Sequence, residues 1–322
     1  MPPGFVKGQL HVHTSASADS NTAPLDVHRW YEQRGYDFVV FTDHNVVTDT
    51  KDTGMLTVPG AELTWNLRAC EPPPPRGKTC ALHMNVLFAT ADDSAIVFGE
   101  VGSVLRRDVY SHELQRAKAL GGIAMLNHPN MESGADEALV LELSRQGLTL
   151  LEVGNQSWDA DNETTAEHPS SEAIWDGVLS RGARVFATVT DDAHHYADAA
   201  AMRARGERPF TGDLGFVVVR ADKSLPQIRA AISRGEFYGS TGVVFDTYEV
   251  GSETISLATQ GGAPVLFEVV GRGGVVVRTE RAAKLDVKLA KDDGPYLRVR
   301  AKADDGTFAW TQPVFRTARG DR

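Results

Sequence analysis

The sequence predicts an α/β barrel followed by a small antiparallel β-sandwich, and three observations carry that expectation. From about residue 8 to residue 240, apolar β-branched segments alternate with amphipathic helical segments or long crossings, as in a parallel sheet. Residues of metal-ligand type (His11/His13, His44, Glu62, His128 and Asp192/His194) stand at or just past the C-terminal ends of those segments. Barrels carry their sites on that face, where several strand ends converge on one axis, whereas an open sheet would spread them along a line. From about Val243 the texture becomes β-rich, with turns at Gly261-Gly262, Gly273-Gly274 and Asp292-Asp293-Gly294 and no helical period, as in a sandwich. The expected domains are residues 1–242 and 243–322.

The elements follow in order. Gln9 to Thr14 reads as a strand that projects His11 and His13 to one face. A polar turn leads to the helix Pro24 to Arg34, with proline suited to its first turn and Gly35 at its end. Tyr36 to Thr42 is a buried strand delivering Asp43-His44-Asn45; Met55 to Leu63 is a strand with Glu62 at its tip; Ala81 to Ala89 is a strand carrying His83. A helix, Arg106 to Leu120, stops at Gly121-Gly122, and the strand Ile123 to Leu126 runs into Asn127-His128-Pro129. Helix Gly134 to Gln146, strand Leu148 to Val153 with Glu152, helix Ser170 to Ser180 and strand Arg184 to Thr190 continue the alternation up to Asp191-Asp192-Ala193-His194-His195. Gly215 to Arg220 is a further strand and Leu225 to Arg234 a further helix. The sandwich strands are Val243 to Val250, Val265 to Val270, Val275 to Thr279, Lys284 to Leu289 and Tyr296 to Ala301, with a frayed tail from Thr317 to Arg322.

A chain of 322 residues, 42% hydrophobic and 24% charged, builds a sizeable core as one large domain or two. Runs of about 18 apolar residues are absent, as is a charged-then-apolar start, so neither a membrane partner nor a signal segment is expected. A net charge of −10 argues against a broad hold on nucleic acid, which rests on phosphate neutralisation by Lys and Arg. Cys70 and Cys80 bracket Pro72 to Pro75; they are either a disulfide fixing a stiff loop or two free thiols, and their spacing excludes a Cys-x-x-Cys knuckle. A cytoplasmic location is expected, and export if the two cysteines are bridged.

Strand parity sorts the polar residues. Of the ten histidines, His11, His13, His44, His83, His128 and His194 fall in strands or at their ends. His28 and His112 fall on helices and should be solvated, His168 lies in a polar loop, and His195 has the wrong parity. Asp192 shares a side with His194, which leaves Asp191 outward or behind the site; Asp43 should point away from His44. A single such residue is readily a satisfied buried polar group. Six or more at matching strand ends are jointly explained by a cation, because burying many unpaired polar groups is costly.

These residues carry a resemblance. His11-x-His13-Thr14, Thr42-Asp43-His44-Asn45, Gly60-Ala61-Glu62, His83, Asn127-His128-Pro129 and Asp192-x-His194, in this order over residues 8–240, resemble the polymerase and histidinol phosphatase (PHP) superfamily. Glu152-Val-Gly-Asn155, Thr190-Asp-Asp-Ala-His194, Phe237-Tyr-Gly-Ser-Thr-Gly242 and Ala309-Trp-Thr-Gln-Pro313 resemble a narrower branch that includes carbaryl-hydrolase-like metallohydrolases. The resemblance implies a distorted seven-stranded, TIM-like β/α barrel holding two or three divalent ions (zinc, manganese or iron) and hydrolysing phosphoesters. It implies His11, His13, His44, Glu62, His83, His128, Asp192 and His194 as ligands. Where many relatives have Ser-Asp-Gly, this chain has Ser17-Ala18-Asp19-Ser20; Asp19 is retained as a ligand, and the alternative is a turn residue with no third ion.

Such a set suits hydrolysis. A carboxylate such as Glu62 can bridge two ions about 3.5 to 4 Å apart, where a bridging water loses a proton near neutral pH and attacks as hydroxide. His195, Asp191 and Glu152 are the candidates to protonate the leaving group, although Glu152 also reads as structural. Arg68, Arg203 and Arg205, with Arg76, Lys78 and Arg208, lie on long loops compatible with clamping phosphate; Trp65 and Trp158 could instead stack an aryl group. The expected partner is a small-molecule ester, a phosphomonoester or phosphodiester first and a carboxylic or carbamic ester second. A non-catalytic metal-binding module is the alternative of another class. The oligomeric state is not legible.

Overall fold

Helix α1 (Pro24–Glu32) carries the chain from β1 (Phe5–Gln9) to β2 (Phe38–Val40) as a crossing between parallel neighbours, the connection the sequence pattern predicts. The computed structural model describes residues 1–50, 54–90, 101–166, 168–290 and 294–316. Pro24 opens α1, and its buried face is Val27, His28 and Tyr31. His28 is therefore fully buried rather than solvated, and neither ring nitrogen has a hydrogen-bond partner among the described residues. His112 is half-buried.

The strand expected over Met55 to Leu63 is two strands. β3 (Leu56–Val58) pairs in parallel with β2, and β4 (Gly60–Leu67) belongs to another sheet. Pro59 has no amide to donate to a ladder, so pairing stops there and the chain turns away. Gly60 lets the two sheets approach at the turn, since a Cβ there would stand 2.6 Å from the carbonyl oxygens of Phe41 and Val86.

From β4 the chain reverses as a hairpin into β5 (Cys80–Leu87), in register from Gly60 opposite Leu87 to Leu67 opposite Cys80. A Cys70–Cys80 disulfide closes the proline loop. Helix α2 (Arg106–Ala119) precedes β6 (Ile123–Leu126), which is antiparallel to β5. Two parallel crossings follow. Helix α3 (Glu137–Arg145), capped by Asp136, leads to β7 (Leu150–Asn155), and α4 (Ser171–Ser180), capped by Ser170, leads to β8 (Phe186–Thr190). Each cap carboxylate or hydroxyl accepts an otherwise unpaired amide of the first turn. Helix α5 (Ala199–Ala204) leads to β9 (Phe216–Arg220), antiparallel to β1. Helix α6 (Leu225–Arg234), ended by Gly235 at φ +72°, leads to β10 (Phe237–Ser240).

The remaining strands are β11 (Phe245–Val250), β12 (Thr254–Thr259), β13 (Val265–Val270), β14 (Val276–Ala282), β15 (Lys284–Lys288), β16 (Tyr296–Lys302), β17 (Phe308–Thr311) and β18 (Val314–Phe315). β11, β12 and β15 form a three-stranded antiparallel sheet. The others extend the first sheet, which runs β14-β13-β16-β17-β10-β9-β1-β2-β3, with β18 on β16. The expected turn residues Asp292 and Asp293 and the tail Thr317 to Arg322 lie outside the described residues.

The TIM-like seven-stranded barrel is corrected by this topology. The chain forms a ten-stranded mixed sheet and a five-stranded sheet, β4-β5-β6-β7-β8. Among the described residues the strand pairing between these two is limited to isolated bridges such as Val12 to Ala193, His44 to Glu62 and Thr48 to Gly60, with no closing ladder. Alternation of strands with helices or long crossings implied all-parallel pairing. The hairpin after β4 and the antiparallel placement of β6, β9 and β10 break it, because a crossing of given length can return a strand in either direction. The boundary expected at 242/243 falls within a continuous sheet: Tyr238 pairs with Thr311 and Ser240 with Ala309. Gln312 also donates to the carbonyl of Ala187 at 2.8 Å and accepts from its amide at 2.9 Å. A buried cluster runs from Val12, Tyr31 and Phe41 through Phe245 and Phe267 to Val299 and Ala309, so both halves share core.

A second tie is ionic. Arg298, 1% exposed, donates to both carboxylate oxygens of Asp176 on α4 at 2.8 and 2.6 Å and meets Glu172 at 2.7 Å; Tyr296 donates to Asp176 at 2.7 Å. Removing one partner of a buried pair leaves the other charge uncompensated. Arg298→Ala is therefore expected to destabilise the protein by about 3–5 kcal/mol in chemical denaturation. A chain ending at residue 242 removes β17 from β10 and Gln312 from β8, and is expected to lose cooperative thermal unfolding; a sharp melt of that fragment would show that residues 1–242 stand alone.

Candidate metal centre

Beyond β1 the backbone is held by side chains and isolated backbone bonds in place of a ladder. Gln9 Oε1 accepts from the amides of Leu10 at 2.9 Å and His11 at 3.2 Å, and the His13 amide donates to the Ala193 carbonyl at 2.9 Å. The extended parity persists: Val12 is fully buried in the core while His11 and His13 share the other face, their rings 5.3 Å apart. Asp43, at the end of β2, does point away from His44. Its carboxylate accepts from the Thr14 amide at 2.6 Å, the Thr14 hydroxyl at 2.8 Å, the Ser17 amide at 3.1 Å and the Ser17 hydroxyl at 2.8 Å. This locks the turn after His13.

Glu62, 1% exposed on β4, lies among imidazoles. His44 Nδ1 is 2.7 Å from Oε2, while His83 Nδ1, His11 Nε2 and His128 Nε2 lie 3.2, 3.4 and 3.5 Å from Oε1. Asp192 Oδ1 is 3.2 Å from both His11 Nε2 and His13 Nε2. Asp19 Oδ2 is 3.0 Å from His44 Nε2 and 3.4 Å from His194 Nε2, and the His194 ring stacks on His13 at 4.1 Å. Three groups able to hold a metal ion result: His13, Asp19, His44 and His194; His11, His13 and Asp192; and Glu62, His83 and His128, with ligand atoms inside each group within 4.8 Å of one another. All nine ligands expected from the sequence are in them.

The donors fit cations. His11 Nε2 and His13 Nε2 are buried with no hydrogen-bond partner and converge on the same carboxylates, an arrangement that is costly unless a cation takes up the lone pairs. Burial opposes charge on Glu62 and Asp192, yet the surrounding imidazoles hold both carboxyls well below the usual range. Burial together with His194 and His44 pushes His13 down to about 4, toward the neutral ligand form. His44, despite burial, is raised to about 10 by Glu62 and Asp19.

The three residues expected to protonate a leaving group stand elsewhere. Glu152 Oε1 faces His11 Nδ1 at 2.9 Å and takes the Thr190 hydroxyl, while Oε2 accepts from the His128 amide at 2.6 Å and Asn155 at 2.9 Å. It orients His11 so that Nε2 faces the site, the support commonly found behind a ligating histidine. Asp191 accepts from the amides of Asp213, Leu214 and Gly215, each at 2.8 Å, from Gln9 at 2.7 Å and from Tyr31 at 2.9 Å. Burial pushes its carboxyl up to about 6. His195 is half-buried and accepts the Phe210 amide at 3.1 Å. Asp192 has φ +52°, so the backbone between these neighbours is not a regular strand.

A cavity of about 220 Å³ opens on the cluster; apart from ligand residues, it is lined by Asn66, Met131, Ser157, Asp159 and Phe210. Arg68, Arg203 and Arg205 are exposed and outside this lining, and Arg205 pairs with Glu207 at 2.8 Å. Lys78 pairs with Glu132 at 3.1 Å, Arg208 lies over the Trp158 ring at 4.5 Å, and Trp158 stacks on Phe210 at 5.0 Å. A larger groove of about 760 Å³ along Pro72 to Pro75 contributes none of the three ligand groups. Sequence reading missed Asn127, which donates to Glu62 Oε1 at 2.7 Å, and Asn155, which donates to Asp192 Oδ2 at 3.0 Å. Their positions directly before His128 and at the end of β7 were the available signal.

No protein-family model matches the chain, and no curated protein matches it. Among solved structures it is similar to an amidohydrolase from Chromobacterium violaceum with bound sulfate and no metal, at 14% identity over 58% of this chain and 87% of that one, with a TM-score of 0.36. It is also similar to an engineered protein at 10% identity, with a TM-score of 0.20, covering 94% of this chain and about half, 52%, of that one. Superpositions this loose identify no family.

Asp192→Ala is expected to lower the bound metal by at least one ion per chain, measured by elemental analysis after dialysis. Asn127→Ala, which leaves every donor atom but frees Glu62, is expected to weaken metal affinity by about 10–100-fold in chelator competition.

Proposed function

We propose that the chain is a metal-dependent hydrolase of the PHP type that acts on a small phosphoester, a diester ahead of a monoester. One observation carries the reading: imidazoles and carboxylates from β1, β2, β4, β5, β6 and β8 or the turns after them, most of them buried, gather into three ligand groups, two of which share His13, beneath an open cavity. Divalent ions held there would supply an ionised water near neutral pH and offset charge developing on the attacked oxygens; zinc, manganese and iron all suit an imidazole and carboxylate set. The chain's own residues do the rest. Glu62 and Asp192 set the charge of the floor, Glu152 fixes the His11 tautomer, and Asn127 and Asn155 orient the two carboxylates. Met131 and Phe210 narrow the approach.

The absence of arginine and lysine from the described lining favours a singly charged diester over a dianionic monoester, which would call for a cationic clamp. The same arginine-free, partly apolar lining favours a second reading, a carboxylic or carbamic ester hydrolase on the same site. The Cys70–Cys80 bridge supports an oxidising compartment. No helix among the described residues is long and apolar enough to cross a membrane.

The test is side-by-side hydrolysis of bis-p-nitrophenyl phosphate, p-nitrophenyl phosphate and p-nitrophenyl acetate by manganese- or zinc-loaded protein, with Asp192→Ala as control. Turnover of the diester, falling at least about 100-fold in the variant, is the expected result. Turnover of the acetate alone would transfer the assignment to the ester branch. Metal bound at full stoichiometry with no turnover would support a non-catalytic binding module.

A further inference from the structure

The lining of the cavity divides by charge. Its ligand residues would form a cationic floor once divalent ions are bound, because the three carboxylates Asp19, Glu62 and Asp192 do not cancel two or three such ions. Of the five other lining residues, Asn66, Met131, Ser157, Asp159 and Phe210, Asp159 alone is charged, and it belongs to none of the ligand groups. We propose that Asp159 recognises a cationic arm of the substrate, so that the site takes a zwitterionic ester: an alkylammonium phosphodiester, with phosphate on the floor and ammonium against the wall. This rests on the phosphoester reading above and names its substrate class.

Three features support the assignment. Asp159 is held in place: the Ser157 hydroxyl donates to its Oδ1, and the Ser157 amide donates to Asn155 Oδ1 at 2.8 Å. The loop that follows is pinned from both sides, by Asn162 on the Asn155 amide at 3.1 Å and by Asn130 on the carbonyls of Asp161 and Pro169 at 2.8 and 2.9 Å. A carboxylate so fixed recognises its partner at little ordering cost. The second feature is Phe210, whose ring shares the lining and sits in an aromatic group, in a parallel stack with Trp158, 5.0 Å apart and 9° between planes, with His194 and His195 at 5.4 and 6.0 Å. An aromatic ring and a carboxylate lining the same cavity are the pairing that suits an alkylammonium group. Third, two basic residues of the loops have partners outside the cavity: Lys78 pairs with Glu132 at 3.1 Å, its charge also acting on Asp159, and Arg208 lies over the Trp158 ring at 4.5 Å. Neither lines the cavity.

The test is binding, independent of turnover. Metal-loaded protein is titrated calorimetrically with methyl phosphocholine, an alkylammonium phosphodiester, and with methyl 3,3-dimethylbutyl phosphate, the diester in which a neutral tert-butyl group replaces the trimethylammonium. The wild-type protein is expected to bind the ammonium diester about tenfold more tightly, equivalent to about 1.4 kcal/mol. Asp159→Asn should narrow the difference to within about twofold while retaining its metal, and Asp159→Glu should keep part of it. Equal affinity of the wild type for the two ligands, or a preference unchanged in Asp159→Asn, would overturn the assignment of Asp159 alone. Binding of neither phosphate to fully metal-loaded protein would overturn the phosphoester reading and this proposal with it.

Discussion

Everything near the cavity answers to one constraint: imidazoles and carboxylates that water would otherwise solvate are buried within a few ångströms of one another. Glu62 and Asp192 are central because their charges are what make so many ring nitrogens tolerable in the interior. The cluster has little slack. Asp43 spends its whole carboxylate on the turn after His13, Glu152 on His11 and the amide of His128, and Asp191 on three successive amides beyond β8. These three acids bind backbone and histidines so that three others, Asp19, Glu62 and Asp192, can face the cavity. The division between supporting and facing acids is the design of the site.

Period-two alternation made the ligands legible, since it requires only local extension, and His11-Val12-His13 keeps that extension without belonging to a ladder. At Asp191-Asp192 it separated the two acids as the structure does, Asp192 toward the ligand groups and Asp191 behind them, although the backbone there is not a regular strand. The left-handed backbone of Asp192 rotates the chain between neighbours, and nothing in the residue types announces φ +52° at an aspartate. The supporting amides of Asn127 and Asn155 were invisible for a different reason: a neutral amide in a strand-end turn looks like turn chemistry until its partner is known.

Element types were readable and their pairing was not. Most of the strands expected before residue 242 are present, but the sheet they were assigned to is absent, because strand direction depends on where each crossing lands. Pro59 held the clearest signal, as an interior strand position without an amide is an argument for two strands. The β-rich C-terminal stretch read correctly as antiparallel. Its continuity with β10 was hidden, since an edge left for a later strand has the same composition as one left to solvent.

That continuity bears on how the protein is made. β1 waits for β9, more than two hundred residues later; β9 pairs on its other side with β10, and β10 in turn waits for β17, close to the end of the described chain. His13 and His194 meet only after the intervening strands have been sorted. A topology of such long-range pairings folds slowly and late in synthesis. The candidate ligands nearest the start of the chain, His11 and His13, are therefore brought to their partners late, and any ion they hold would be captured at the last stage of folding.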